Sequence, residues 1–305
     1  MRHRISPTCF RTGLTYLDMF MRPRNPSHLS VLGIFAHPDD EGFGSGGALA
    51  LLAARGARLT LVCATNGDVG QISNPSLATL ETLAQVRQEE LRRAAAVTGV
   101  QDLRFLNYRD SGMVGSRHNQ NMASLHQASP ARVVGRLVGI LREVRPQVVL
   151  THDSTGGYGH PDHLTVYRHA TRAVALAGDP TAYPEQWAAG LAPWTVPYLY
   201  YVCFPRTQFR RMWQEMLSAG ITPPFASKDA ESLGCPDEAV TTTVDVSQFV
   251  DTKIASLNCH RTQIDPNGPF ARLSPELMRE IMSTEYFALA QREGAGGDGD
   301  LLAGL

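Results

Sequence analysis

The sequence predicts an α/β fold: a Rossmann-like, mostly parallel sheet with helices on both faces, plus a small irregular C-terminal subdomain or lid. Three observations predict it. Short apolar runs alternate with longer helical stretches, in the strand-helix-strand rhythm of a parallel sheet covered on both sides. The runs are apolar on consecutive residues, as strands buried on both faces are. Three of them lead into polar clusters: His37-Pro38-Asp39-Asp40-Glu41, Asn66-Gly67-Asp68 and Tyr158-Gly159-His160-Pro161-Asp162-His163. Ligands in such sheets gather at the carboxyl ends of the strands, so all three clusters face one edge.

The elements follow in order. Val31–Ala36 is the first strand, an apolar run bounded by turn chemistry. Gly46–Arg55 (GGALALLAAR) reads as a helix that Gly56 stops, and Arg58–Ala64 (RLTLVCA) as the second strand. Leu80–Thr98 combines strong helix formers with an amphipathic period and closes at Gly99. A short strand near Leu103–Leu106 precedes a polar loop from Asn107 to about Ser129. Pro130–Arg145 is the next helix, ended before Pro146, and Gln147–Thr151 (QVVLT) the next buried strand. Proline and aromatic residues thicken from Asp179 to Pro236, which reads as a less regular lid. The expected organisation is therefore an α/β catalytic core at 29–178 with its lid and C-terminal part at 179–293. A poorly ordered extension at 1–28, with Met19 and Met21 as candidate internal starts, and a glycine-rich flexible tail at 294–305 flank it.

The 305 residues carry a formal net charge of −1, so no basic field for nucleic acid or membrane is implied. No apolar stretch is long enough to span a bilayer, and the arginine-rich start lacks the apolar core of a secretory signal. Five dispersed cysteines without a C-x-x-C pair point to reduced thiols and a cytoplasmic setting.

Imidazoles and carboxylates at the end of a buried strand are costly to place for packing alone, and two such clusters suggest one shared metal site. His37 and Asp40, three residues apart, can point at one ion, and His163 can supply a third ligand. Two histidines and one carboxylate with an open fourth position suit catalytic zinc, with ferrous iron as the alternative. Asp39 is placed to act as general base toward water at the metal. His160 is expected to stabilise an oxyanion as an imidazolium, with Asp162 fixing its tautomer. A rival motif, G-x-G-x-x-G from Gly42 to Gly47 with Asp68 beyond it, suggests a dinucleotide fold. However, Asp39, Asp40 and Glu41 crowd the corner where a pyrophosphate would sit, and the glycines serve better to bring the helix close to the sheet. Glu41 is expected to bond backbone amides at the helix start. His118, His126 and His152 read as loop or surface residues, and His260 and Gln263 as a bridge from the tail to the domain, without chemistry.

At these residues the chain resembles the LmbE-like, PIG-L family of zinc-dependent N-deacetylases, which includes enzymes on the routes to mycothiol, bacillithiol and glycosylphosphatidylinositol. The paired histidine motifs carry the resemblance. Arg87-Gln-Glu-Glu90-Leu91, Tyr108-Arg109-Asp110-Ser111-Gly112-Met113 and His260-Arg261-Thr262-Gln263 extend it from about Leu32 to Gln263. It implies a Rossmann-like fold with His37, Asp40 and His163 as zinc ligands and Asp39 as general base. It also implies His160 at the oxyanion with Asp162 as its partner, Tyr158 assisting at the carbonyl, and Arg87 and Asp110 holding the sugar or its substituent. The expected activity is removal of the acetyl group from an N-acetylglucosamine-type conjugate. The alternatives are an amidase on a thiol conjugate or N-acyl natural-product glycoside, and a non-catalytic sugar- or nucleotide-binding module. The expected partner is a small-molecule amino-sugar conjugate, with a homo-oligomer allowed and neither nucleic acid nor membrane involved.

Overall fold

A computed structural model of the protein describes residues 29–224 and 233–292. The expected N-terminal extension, the tail at 294–305 and Cys9 lie outside the described residues. Seven strands among them form one sheet: β1 (Ser30–Phe35), β2 (Arg58–Thr65), β3 (Asp102–Tyr108), β4 (Val148–His152), β5 (Tyr198–Cys203), β6 (Thr242–Asp245) and β7 (Thr284–Arg292). Their order is β3-β2-β1-β4-β5-β7-β6. The first five run parallel, whereas β7 pairs antiparallel with both β5 and β6. The sheet is mostly parallel, as expected.

Strands β1, β2 and β4 are buried almost throughout because both faces are covered. In β1, Leu32 and Ile34 pack against α3 (Pro130–Val144) and α4 (Pro161–Ala177), through Val133, Val134, Leu137, Val166 and Ala170. Val31 and Phe35, on alternate positions, face α1 (Asp40–Ala54) and α2 (Leu83–Thr98) through Leu49, Leu52 and Leu91. The long apolar period of α3 and the Gly99 stop of α2 match the sequence reading, Gly99 adopting the left-handed conformation that glycine favours (φ 80°).

Three elements differ in extent from the reading. Helix α1 starts at Asp40 rather than Gly46, so Gly42, Gly44, Gly46 and Gly47 all lie inside it. Helix α2 begins at Leu83, after a turn at Thr79–Thr82. Strand β3 reaches Tyr108, and the loop beyond it is tied by a bridge between Arg109 and Ser124. The segment expected as an irregular lid supplies β5 and α5 (Arg206–Ser218), and the chain after that segment adds β6 and β7 together with α6 (Val250–Leu257) and α7 (Pro275–Met282). The proline-rich composition there reflects the connections between these elements.

The chain order around β1 reverses direction: β2 and β3 lie to one side, β4 and β5 to the other. The carboxyl ends of β1 and β4 thus open side by side at the topological switch point, where a crevice forms. His37 follows β1 and His152 ends β4.

Candidate metal centre and active site

The site is assembled where β1 gives way to α1. Asp40 is the first residue of the helix, and its Oδ2 accepts the His37 backbone N–H at 2.7 Å. His163 lies in the first turn of α4, which Pro161 opens. Its Nδ1 donates to the Gly156 carbonyl at 3.1 Å, leaving a lone pair on Nε2. His37 Nε2 donates to Asp162 Oδ2 at 3.2 Å, leaving a lone pair on Nδ1.

Those two lone pairs and the Asp40 carboxylate converge. His37 Nδ1 lies 3.2 Å from His163 Nε2 and 3.3 Å from Asp40 Oδ2, and His163 Nε2 lies 3.1 Å from Asp40 Oδ1. A tetrahedral ion with bonds of about 2.0–2.1 Å separates its ligands by about 3.3 Å. The donor set therefore fits a divalent cation by chemistry and by spacing. Without an ion, burial would lower the His37 imidazole, but Asp110 and Asp40 overcome it and hold it well above its ordinary range, so Nδ1 offers its lone pair only as an arriving cation displaces a proton there. Burial likewise opposes the Asp40 charge, yet His163 and His37 keep that carboxyl well below its usual range. The centre attracts positive charge.

Asp39, between the strand and the helix, has φ 127°, a strained value for any residue but glycine. Two tethers impose it. Its N–H donates to Glu41 Oε2 at 3.0 Å, and its carbonyl accepts from Gly42 N at 3.0 Å. Glu41 is buried and fulfils the expected amide-bonding role, while its Oε1 pairs with His260 Nε2 at 2.8 Å. Burial raises the Asp39 carboxyl to about 6 against the pull of Arg87, whose guanidinium lies 3.2 Å from Asp39 Oδ2. Arg87, expected to touch the sugar, is itself buried and donates to the carbonyls of Gly67 (2.9 Å) and Pro38 (2.6 Å).

The expected pairing of Asp162 with His160 is not formed through the carboxylate. Asp162 instead accepts from Ser111 N–H at 2.8 Å, from Ser111 Oγ at 2.5 Å and from His37. His160 caps α4, and its Nδ1 accepts the Asp162 backbone N–H at 3.1 Å. The imidazole is therefore neutral and carries its proton on Nε2. Burial, followed by the charges of His37 and His163, lowers it to about 2, which overturns the expected imidazolium. Asp110 caps its own turn, accepting from Gly112 N at 2.7 Å, and stands 3.7 Å from His37 Nε2. Tyr158 lies in the kinked turn Gly156–Gly159, edge-on to His163 at 5.2 Å, and burial raises its phenol.

Sequence reasoning misplaced one histidine and could not name the partner of another. His152, read as a loop or surface residue, is buried; its Nε2 accepts from Ala36 N at 3.0 Å, and its ring stacks on His163 at 4.1 Å. The signal was its place as the last residue of an apolar strand. His260 reaches Glu41 from beyond α6, which no spacing reveals. Gln263 bridges to the Gln71 carbonyl at 2.9 Å, as the reading of that motif anticipates. The dinucleotide alternative fails because Gly42 lies within α1 rather than in a turn ahead of it. Beside the centre opens a cavity of about 330 Å³, with Asp39, Asp40, Tyr158 and His163 on one wall and Phe43, Phe204, Phe209, Met212 and Phe270 on others.

The profile of the family described as PIG-L: GlcNAc-PI de-N-acetylase matches residues 32–174. A relative from Geodermatophilus obscurus, named 1D-myo-inositol 2-acetamido-2-deoxy-alpha-D-glucopyranoside deacetylase, is 40% identical over 90% of this chain and 97% of its own. One of the same name from Acidothermus cellulolyticus is 39% identical over 90% and 95%. Among solved structures, N,N'-diacetylchitobiose deacetylase from Pyrococcus horikoshii superposes with a TM-score of 0.62, covering 92% of this chain and 94% of that one. At 23% identity, that likeness speaks to the fold.

Proposed function

Because the chain belongs to the PIG-L family of de-N-acetylases, we propose that it deacetylates an N-acetylglucosaminyl conjugate whose aglycone is inositol, with zinc as the metal. The convergence of two imidazole lone pairs and a carboxylate beside Asp39 carries this reading. The aglycone is inferred from the names of relatives aligned along nearly their whole length. Zinc is favoured by two nitrogens and one oxygen in a buried site, and ferrous iron is the alternative.

His37, Asp40 and His163 would hold the ion. When bound, it supplies Lewis acidity, polarising the amide carbonyl and making a nearby water more acidic. Asp39, with a carboxyl raised to about 6, takes a proton from the attacking water and returns it to the departing amine. Its unusual backbone aims it across the crevice, and Arg87 fixes its carboxylate. His160 offers its Nε2–H to the developing oxyanion as a neutral donor. Tyr158, from its turn beside both histidines, assists at the carbonyl. Asp162 orients His37, and Asp110 adds negative charge behind it. Water adds to the carbonyl carbon, the C–N bond breaks, and acetate and a free amine leave.

The aromatic walls of the cavity favour one second reading: an amide whose substituent is larger and more apolar than acetyl, such as a thiol conjugate or an N-acyl glycoside. The free thiols of Cys63, Cys203, Cys235 and Cys259 support a cytoplasmic setting. No helix among the described residues is long and apolar enough to cross a membrane.

Metal analysis paired with amine release tests these statements. N-acetylglucosaminyl-inositol, N-acetylglucosaminyl-malate, a thiol-conjugate amide and longer N-acyl glucosides form the panel. The inositol conjugate is expected to turn over fastest, only in metal-loaded protein. Preference for a longer acyl or thiol conjugate selects the second reading, and full turnover by metal-free protein rejects both.

A further inference from the structure

We propose that Asp153, Cys203 and Cys235 form a second cation site, a thiolate site for zinc or a similar borderline-soft divalent ion. One ligand atom from each lies within 4.8 Å of the others, and all three residues are buried. They come from three separate stretches of chain. Asp153 follows β4, Cys203 ends β5, and Cys235 is bound to the backbone just beyond β5. Its N–H donates to the Phe204 carbonyl at 2.9 Å, and its carbonyl accepts from Arg206 N at 3.0 Å. Packing alone gives no reason to set a carboxylate against two thiols.

The Asp153 carboxylate is positioned before any ion arrives. Its Oδ1 accepts from Thr155 N (3.0 Å), Thr155 Oγ1 (2.7 Å) and Gly157 N (3.4 Å), and Oδ2 takes none of these bonds. A buried carboxylate needs a countercharge, and thiols are weak donors. The two thiols lie in hydrogen-bonding contact, which lowers Cys235 and raises Cys203. A divalent ion would displace both thiol protons to solvent and bind two thiolates and one oxygen. That donor set suits zinc, with the fourth place open. Asp153 and Cys203 also line the cavity beside the first centre, which gives the ion a way in and a source of water as fourth ligand.

The position gives the ion a structural task. Gly234 N–H donates to the Gly157 carbonyl at 2.8 Å, so the strand carrying Cys235 is tied to the turn that presents Tyr158. Within that turn the Gly156 carbonyl orients His163. An ion shared by β4, β5 and the Cys235 segment clamps the turn from behind.

Loading the protein with cobalt(II) tests the site through absorption, because thiolate ligands give a near-ultraviolet charge-transfer band that imidazole and carboxylate do not. The wild-type chain is expected to bind two equivalents and show the band. Cys203→Ser with Cys235→Ser should lose one equivalent and the band, while His37→Ala should keep the band. A wild-type protein with one equivalent and no band, or with these two cysteines recovered as a disulfide under metal-replete conditions, overturns the proposal. The wild-type spectrum decides even where the double variant fails to fold.

Discussion

Asp39 owes its character to neighbours that pull in opposite directions. Burial raises its carboxyl and the Arg87 guanidinium lowers it, leaving it at about 6. As the proposed general base it must be deprotonated, so turnover is expected to fall as pH drops through that value. Removing the arginine removes a lowering influence and moves the fall to higher pH. Arg87→Ala is therefore expected to shift the acid limb of kcat/KM upward by about one unit or more. A limb that stays in place in the pH profile would mean that Arg87 does not act through Asp39. The convergence of His37, Asp40 and His163 was legible in the sequence because each lies within a few residues of a strand end or helix start, so local geometry aims it. His260 was read as a bridge to the domain, but its partner was not legible, because Glu41 is 219 positions away and the pairing exists only after folding. Asp162 was misread for the opposite reason. Two residues apart at the start of a helix, His160 and Asp162 point in different directions, and the carboxylate finds Ser111 and His37 instead.

Helix α1 shows why its first turns were hard to read. Its four glycines look like helix breakers, each costing about 1 kcal/mol against alanine. Their missing side chains let the helix lie close to its neighbours, Gly44 against β5 and Gly42 and Gly46 against α6. A Cβ on Gly44 would sit 2.3 Å from Val202 Cγ1, and one on Gly47 would sit 2.6 Å from Val246. Tertiary contact thus outweighs propensity, and Asp40 is carried on a helix in close contact with β5. Gly44→Ala is expected to cost about 1–3 kcal/mol by overpacking, read by chemical denaturation; an unchanged midpoint would show that Val202 moves aside freely. The same helix is gripped from beyond. Glu285 on β7 accepts from the N–H groups of Gly47 (2.8 Å) and Ala48 (2.7 Å) and pairs with Lys253 Nζ at 2.8 Å, all out of solvent. Glu285→Ala leaves the lysine charge buried alone and should cost about 3–5 kcal/mol. Adding Lys253→Met should recover much of that loss in the same denaturation assay, and no recovery would show that the helix amides, rather than the charge, dominate.

Across the whole molecule, β1 to β4 were plain from their apolar runs, whereas β5 lay hidden in the stretch read as a lid. The remainder was no plainer, because β6 is short and β7 alternates between buried and half-exposed residues on antiparallel partners. The candidate metal ligands come from α1, α4 and the end of β1, so an ion held there would stabilise the folded chain as a ligand does. At a hundredfold excess over Kd the gain is about 2.7 kcal/mol. Dialysis against a chelator is expected to lower the Tm and abolish amine release together, with zinc restoring both; a Tm indifferent to chelation would place the centre outside the stability of the fold. The reach of β7 back to α1 also bears on the order in which the protein is made. The residues that flank the centre all precede Glu285 along the chain and are translated before it. Until it is made, the Gly47 and Ala48 amides and the Lys253 charge lack the partner that lets them be buried. The helix that carries Asp40 gains its two buried amide partners only once β7 has been translated, so a growing chain is not expected to hold Asp40 in its final place before then.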